Sequence, residues 1–151
     1  MLYYKKIVTL PIIYVSGYME SHRQEYREAL NSADTEGKYE KWLSFFLKAV
    51  AEQSSQTEKI INKIYNLLDE VKMSFEGTKS PYIYAAIDFI FEKPVFTIKL
   101  MMKYTKADRQ TCVRQIDSLR EKGYIVEIPK NLRIDKREKL YYFTQLMNIL
   151  K

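Results

Sequence analysis

The sequence predicts a mainly α-helical fold with a small β-hairpin in its C-terminal half. The chain has 151 residues, of which 46% are hydrophobic and only 4 are Gly and 4 Pro. Apolar residues recur at three- and four-residue steps through most of the chain, which is the spacing of amphipathic helices. This content is enough to build a core, and the length allows either one domain of ordinary size or two small ones.

Helical spacing dominates the N-terminal half. Residues 1–15 predict an apolar helix end or an extended segment, residues 18–30 a helix, and residues 31–37 a polar turn. Residues 38–75 predict one long helix, or two helices broken near Ser54. The next residues, 76–81, combine a glycine, polar side chains and a proline suited to a helix start. We therefore predict a domain boundary here, between residues 1–79 and residues 80–151.

Short helices and strands alternate in the C-terminal half. The first predicted elements are a helix over residues 81–91, a strand at Val95 and Phe96, and a helix over residues 98–104 capped by Thr97. A helix capped by Asp108 and ended by Gly123 follows, and then two strands over residues 124–128 and 140–143. The last element is a helical turn over residues 145–150, which is predicted to pack Leu146, Ile149 and Leu150 onto the domain. The helix after Asp108 would bury Cys112, Val113, Ile116 and Leu119. This order is that of a winged helix-turn-helix.

The positive charge of the chain lies in the same C-terminal half. Residues 80–151 contain 14 Lys and Arg against 8 Asp and Glu, whereas residues 1–79 contain 11 of each, so the net charge of +6 comes from the C-terminal segment. A compact basic segment favours a polyanionic partner, and with this order of elements the predicted partner is double-stranded DNA.

Eight polar side chains are candidates for DNA contacts. Four lie in the first turns of the second helix of the pair: Arg109, Gln110, Thr111 and Arg114. The other four lie in the loop between the last two strands: Lys130, Arg133, Lys136 and Arg137. Arg and Gln can form paired hydrogen bonds with guanine and adenine edges, and basic loop residues can neutralise phosphates. The alternative is that these are ordinary surface residues on a domain used for protein contacts.

Several function classes are excluded by the composition. The single histidine and single cysteine, His22 and Cys112, cannot supply the three or four ligands of a usual zinc site, so we predict no metal site. His22 lies on a predicted helix between Tyr18 and Tyr26, so we predict that it is structural and that this chain contains no catalytic residue. One cysteine excludes an internal disulfide and suits a reducing cytoplasm. The longest apolar stretches, residues 10–15 and 85–91, are shorter than the roughly 20 residues of a membrane span. No signal peptide and no membrane partner are predicted.

Two blocks of the sequence resemble a known family. Residues 11–26 read PIIYVSGYMESHRQEY, and the spacing of Tyr14, Ser16, Tyr18, His22, Arg23 and Tyr26 resembles the region that follows the active-site motif of Fic-domain proteins. Residues 42–53, WLSFFLKAVAEQ, resemble the next helix of that family, and many of its members continue into a winged helix. The resemblance implies a helical remnant of a Fic domain followed by a winged helix.

Fic proteins transfer AMP from ATP to a hydroxyl side chain of a target protein, using a His-Pro-Phe-x-(Asp/Glu)-Gly-Asn-Gly-Arg motif. This sequence has no His-Pro pair and no Gly-x-Gly. The resemblance therefore implies a C-terminal fragment that is inactive alone, with ATP and Mg²⁺ relevant only if a parent protein supplies the motif. The expected function is DNA binding or regulation of the missing catalytic half. Alternatives are a supporting part of a protein adenylyltransferase and a protein-interaction or homodimerisation module.

Overall fold

The structure is a computed structural model that describes residues 14–78, 80–133, 135 and 137–150. In this part of the chain the elements are α1 (Ser16–Ser21), α2 (Arg23–Glu36), α3 (Tyr39–Ser74), α4 (Tyr82–Glu92), β1 (Val95–Thr97), α5 (Ile98–Thr105), α6 (Arg109–Glu121), β2 (Ile125–Glu127), β3 (Leu140–Phe143) and α7 (Thr144–Ile149). The mainly helical fold class is confirmed. None of the described helices is both long enough and apolar enough to cross a membrane. Most of the predicted N-terminal segment, residues 1–13, lies outside the described residues.

The chain divides into two compact units, Met1–Ile61 and Asn62–Lys151. The division falls inside α3, so the last turns of this helix belong to the second unit. The boundary predicted at residue 79 stays a prediction.

The first unit has a small core. Its buried residues are Tyr18, Ala29, Phe45 and Ala49. The predicted helix over residues 18–30 is divided into α1 and α2, because His22 leaves the helical region of backbone space with φ −115° and ψ 39°.

The turn predicted over residues 31–37 is wrong except at its last residue. The helix α2 continues to Glu36 and is ended by Gly37, whose φ of 65° is left-handed. Polar side chains do not break the helix here, because the Thr35 hydroxyl donates to the carbonyl of Asn31 at 2.7 Å and is satisfied within the helix.

The 36-residue helix α3 confirms the long-helix alternative. No break occurs near Ser54, and the hydroxyl of the neighbouring Thr57 donates to the Gln53 carbonyl at 2.8 Å. Serine and threonine are only weakly unfavourable inside a helix, so their presence does not end it.

The second unit packs helices against a three-stranded antiparallel sheet. The strand order is β1-β3-β2, and Tyr142 in the central strand lies opposite both Val95 and Val126. The neighbouring residues Tyr141 and Phe143 are buried, because alternate side chains of a strand point to opposite faces. The core also contains Leu67, Val71 and Phe75 from the end of α3 and the residues after it, together with residues of α4, α5, α6 and α7.

Two local predictions in the second unit are correct only in part. The helix predicted over residues 98–104 is confirmed and Thr97 is its N-cap residue, but the Thr97 side chain makes no capping hydrogen bond. Leu150 does not pack onto the core: it is 53% exposed, because α7 ends at Ile149 and only Leu146 is buried from this helix. The predicted strand at residues 140–143 is confirmed, and the one predicted at 124–128 is observed as Ile125–Glu127.

Candidate nucleic-acid interface

The start of α6 is fixed by a side-chain cap. Asp108 Oδ1 accepts from the backbone N–H of Thr111 at 3.0 Å, and Asp108 Oδ2 accepts from the Thr111 hydroxyl at 2.7 Å. These hydrogen bonds hold the pKa of Asp108 below its ordinary value. The predicted cap is therefore confirmed, and the first turn of α6 has a defined position for the candidate residues that it carries.

The ionised form of this cap gives a prediction. Because the folded pKa of Asp108 is depressed, its charge stabilises the fold at pH above the unfolded value of about 4, and this contribution is lost as the pH falls through the lower folded pKa. We expect Asp108→Asn, which keeps an acceptor, to melt below wild type at about pH 7, by a difference that shrinks toward about pH 2. Circular dichroism melts across this range measure it. A difference that does not change with pH would contradict this role.

The two faces of α6 differ in chemistry. Its buried residues are Cys112, Gln115, Ile116 and Leu119, so the predicted inward face is correct in its main members, and Val113 is partly buried. Helical spacing places Gln110, Arg114, Asp117 and Glu121 together on the exposed face. This face is thus polar and basic in the N-terminal half of the helix and acidic in the C-terminal half.

A cleft lies beside the start of α6. Its volume is about 510 Å³, and it is lined by Thr97, Ile98, Lys99, Arg109, Asp135, Arg137, Glu138 and Lys139. We call this the basic cleft, since four of these side chains are cationic and two are carboxylates. It brings together the predicted site residues Arg109 and Arg137, from α6 and from the loop between β2 and β3. It also adds Lys99 and Lys139, which were not among the candidates.

An ion pair spans two of the segments that line the basic cleft. Lys99, in the first turn of α5, contacts the carboxylate of Glu138 in the β2–β3 loop. The hydrogen bond with Glu138 and the negative charge of this carboxylate raise the pKa of Lys99. The lysine is therefore a cation at neutral pH, and in this conformation its charge is compensated by a residue of the same chain.

Arg133 holds the β2–β3 loop together from within. Its Nε donates to the Ile128 carbonyl at 2.6 Å, its Nη1 to the Glu138 carbonyl at 3.1 Å, and its Nη2 to Glu127 Oε1 at 2.5 Å. The side chain is only 7% exposed. Arg133 was predicted to contact phosphates, but in this conformation its guanidinium is occupied by the loop itself.

Glu127 joins a second cation to this network. Lys139 Nζ lies 3.3 Å from Glu127 Oε2. Burial raises the pKa of Glu127, but hydrogen bonds from Arg133 and Lys139, together with their charges, outweigh this and hold the pKa below its usual value. The carboxylate is therefore ionised at neutral pH and forms ion pairs with Arg133 and Lys139.

The remaining described candidates are not among the residues that line the basic cleft. Thr111 is half-buried and engaged with Asp108, whereas Gln110 and Arg114 are exposed. Lys130 is exposed in a short 3₁₀ turn, Lys130–Leu132. Lys136 lies outside the described residues. The position of Lys99 in the first turn of a predicted helix could have marked it as a candidate for the site. Nothing in the local sequence indicates that it pairs with Glu138.

The histidine of the first unit makes structural contacts. The His22 ring stacks on Tyr18 with ring centroids 4.0 Å apart, and His22 Nδ1 lies 3.0 Å from the Tyr18 carbonyl and from the Ser21 hydroxyl. Within the described ranges there is no group of three or more His, Cys, Asp or Glu residues that could hold a metal ion.

No protein-family model matches the chain. The resemblance to Fic-domain proteins therefore stays a prediction. The residue pattern to which the resemblance assigns binding of ATP and Mg²⁺ does not occur in the sequence.

Proposed function

We propose that the second unit is a winged helix that binds duplex DNA through the first half of α6 and the β2–β3 loop. The order α4, β1, α5, α6, β2, β3 and the three-stranded antiparallel sheet are typical of that fold. The observation that carries the proposal is the basic cleft, in which Arg109 and Arg137 converge from α6 and from the β2–β3 loop beside the start of α6.

The charge distribution along α6 sets how this helix enters the major groove. Gln110 and Arg114 are exposed near its start and have the donors and acceptors that read adenine and guanine edges. Asp117 and Glu121 follow on the same face, where phosphates would repel them. We therefore place only the N-terminal half of α6 against base edges, which is how recognition helices are commonly used.

The cleft and the β2–β3 loop would contact the DNA backbone. Arg109 and Arg137 point from α6 and from the loop into the same cleft, and Lys130 lies exposed at the other end of the loop. Arg133 supports these residues indirectly, since it ties Ile128, Glu127 and Glu138 together. Such contacts fix the register of a protein on the duplex without reading sequence.

Salt dependence tests this proposal. Neutralising phosphates releases condensed counterions, so with about 4 to 6 phosphate contacts the slope of log affinity against log salt should be roughly −4 to −5. Fluorescence anisotropy with a labelled random duplex, titrated between about 50 and 200 mM salt, measures the slope. No detectable binding at about 50 mM salt and tens of micromolar protein would remove the proposal. The exposed face of α6 and the loop would then be better explained as a protein-contact surface.

A further inference from the structure

We propose that Glu138 limits the DNA affinity of the second unit by competing with backbone phosphate for Lys99. This inference rests on the proposed function, because it concerns the same cleft. Lys99 is 75% exposed along its side chain and lies in the first turn of α5, yet its ammonium contacts the Glu138 carboxylate. A phosphate approaching Lys99 therefore meets a negative charge that already occupies this position.

The position of Glu138 is fixed by the loop that carries it. The backbone carbonyl of Glu138 accepts from Arg133 Nη1 at 3.1 Å, and β3 begins two residues later at Leu140. Arg133 is in turn bound to Ile128 and Glu127. Arg133 thus holds the backbone that carries the Glu138 carboxylate, on the side of the cleft where Lys99 lies.

The cations that line the cleft fall into two groups. Lys99 is paired with Glu138, and Lys139 is paired with Glu127. In the part of the chain that the structure describes, Arg109 and Arg137 form no side-chain ion pair. Asp135 adds a further negative charge to the lining. The paired lysines are already compensated and should release few counterions on binding, whereas the two arginines should account for most of the phosphate neutralisation in the cleft.

Removing the Glu138 charge should therefore strengthen binding and change its salt dependence. We expect Glu138→Gln to raise the affinity for a random duplex by about three- to tenfold at about 100 mM salt, since a like charge near phosphate is removed and Lys99 becomes available. The slope of log affinity against log salt should become steeper by about 0.9, the contribution of one additional phosphate contact.

A cycle of variants in the full chain isolates the role of Lys99. Lys99→Met alone should leave the slope of log affinity against log salt nearly unchanged, because Lys99 makes no phosphate contact while Glu138 is paired with it. The Glu138 carboxylate that this change leaves unpaired should lower the affinity by a few fold through repulsion of phosphate. In the Glu138→Gln background the same change should return both affinity and slope close to their wild-type values. Glu121→Gln is the matched control, since it makes the same change in net charge on an exposed residue at the far end of α6, about 18 Å along the helix from Arg109.

Anisotropy titrations of the four variants and wild type test whether Glu138 competes with phosphate for Lys99. Melting curves verify that each variant is folded. The inference is overturned if Glu138→Gln binds as wild type does, if Glu121→Gln gains as much, or if Lys99→Met alone makes the slope shallower by about 0.9, the contribution of one lost phosphate contact. In each of these cases wild type still binds DNA, so the proposed function survives. Absence of binding by wild type would instead overturn both proposals together.

Discussion

Phe75→Ala is expected to lower the free energy of unfolding of the second unit by about 3 to 5 kcal/mol, the usual cost of replacing a buried phenylalanine with alanine. Phe75 is 3% exposed and packs near Tyr124, with ring centroids 6.3 Å apart. Met73, two residues earlier, is 65% exposed, so Met73→Ala is a matched control that should change stability by no more than about 0.5 kcal/mol. Denaturant unfolding followed by circular dichroism measures both. Equal effects of the two changes would contradict the placement of Phe75 in the core.

Two fragments test the same part of the core. Residues 62–151 retain the packing of Leu67, Val71 and Phe75, whereas residues 80–151 lose all three. Each of these side chains contributes about 1.5 to 3 kcal/mol on burial, and the sum approaches the whole stability of a small domain. We expect the longer fragment to melt cooperatively and the shorter one to lack a cooperative transition. Cooperative melting of residues 80–151 with similar stability would support the boundary predicted at residue 79.

Elements of the fold that depend on interactions between residues close in the sequence were predicted more accurately than those that depend on distant residues. Asp108 was identifiable as a cap because its partner, Thr111, is three residues away on the chain. The strand at residues 140–143 was identifiable from its three consecutive aromatic residues, Tyr141, Tyr142 and Phe143, which are common in strands. The end of α2 was misplaced because polar residues before Gly37 satisfy their hydrogen bonds inside the helix, which composition does not indicate.

The candidate site was less predictable because its charges are paired across the fold. Sequence identified Arg109 and Arg137 by their positions in a helix start and a basic loop, and both lie in the basic cleft. It treated Arg133 as equivalent to them, since nothing local distinguishes a loop arginine that binds phosphate from one that binds Glu127 and two carbonyls. The pairing of Lys99 with Glu138 joins α5 to the β2–β3 loop and is visible only in the folded chain.

The most direct test of the account compares two charge reversals on the same helix. Arg109→Glu with Arg114→Glu reverses two charges at the start of α6, and Arg120→Glu with Lys122→Glu reverses two at its end. Both variants change the net charge equally, and melting curves establish that each is folded. If the first half of α6 contacts DNA, the first pair should weaken duplex binding by about a hundredfold or more at about 100 mM salt, because base and phosphate contacts are both lost. The second pair should weaken it by less than about fivefold, through long-range repulsion alone. Equal losses in the two variants would contradict a defined DNA-binding face on α6.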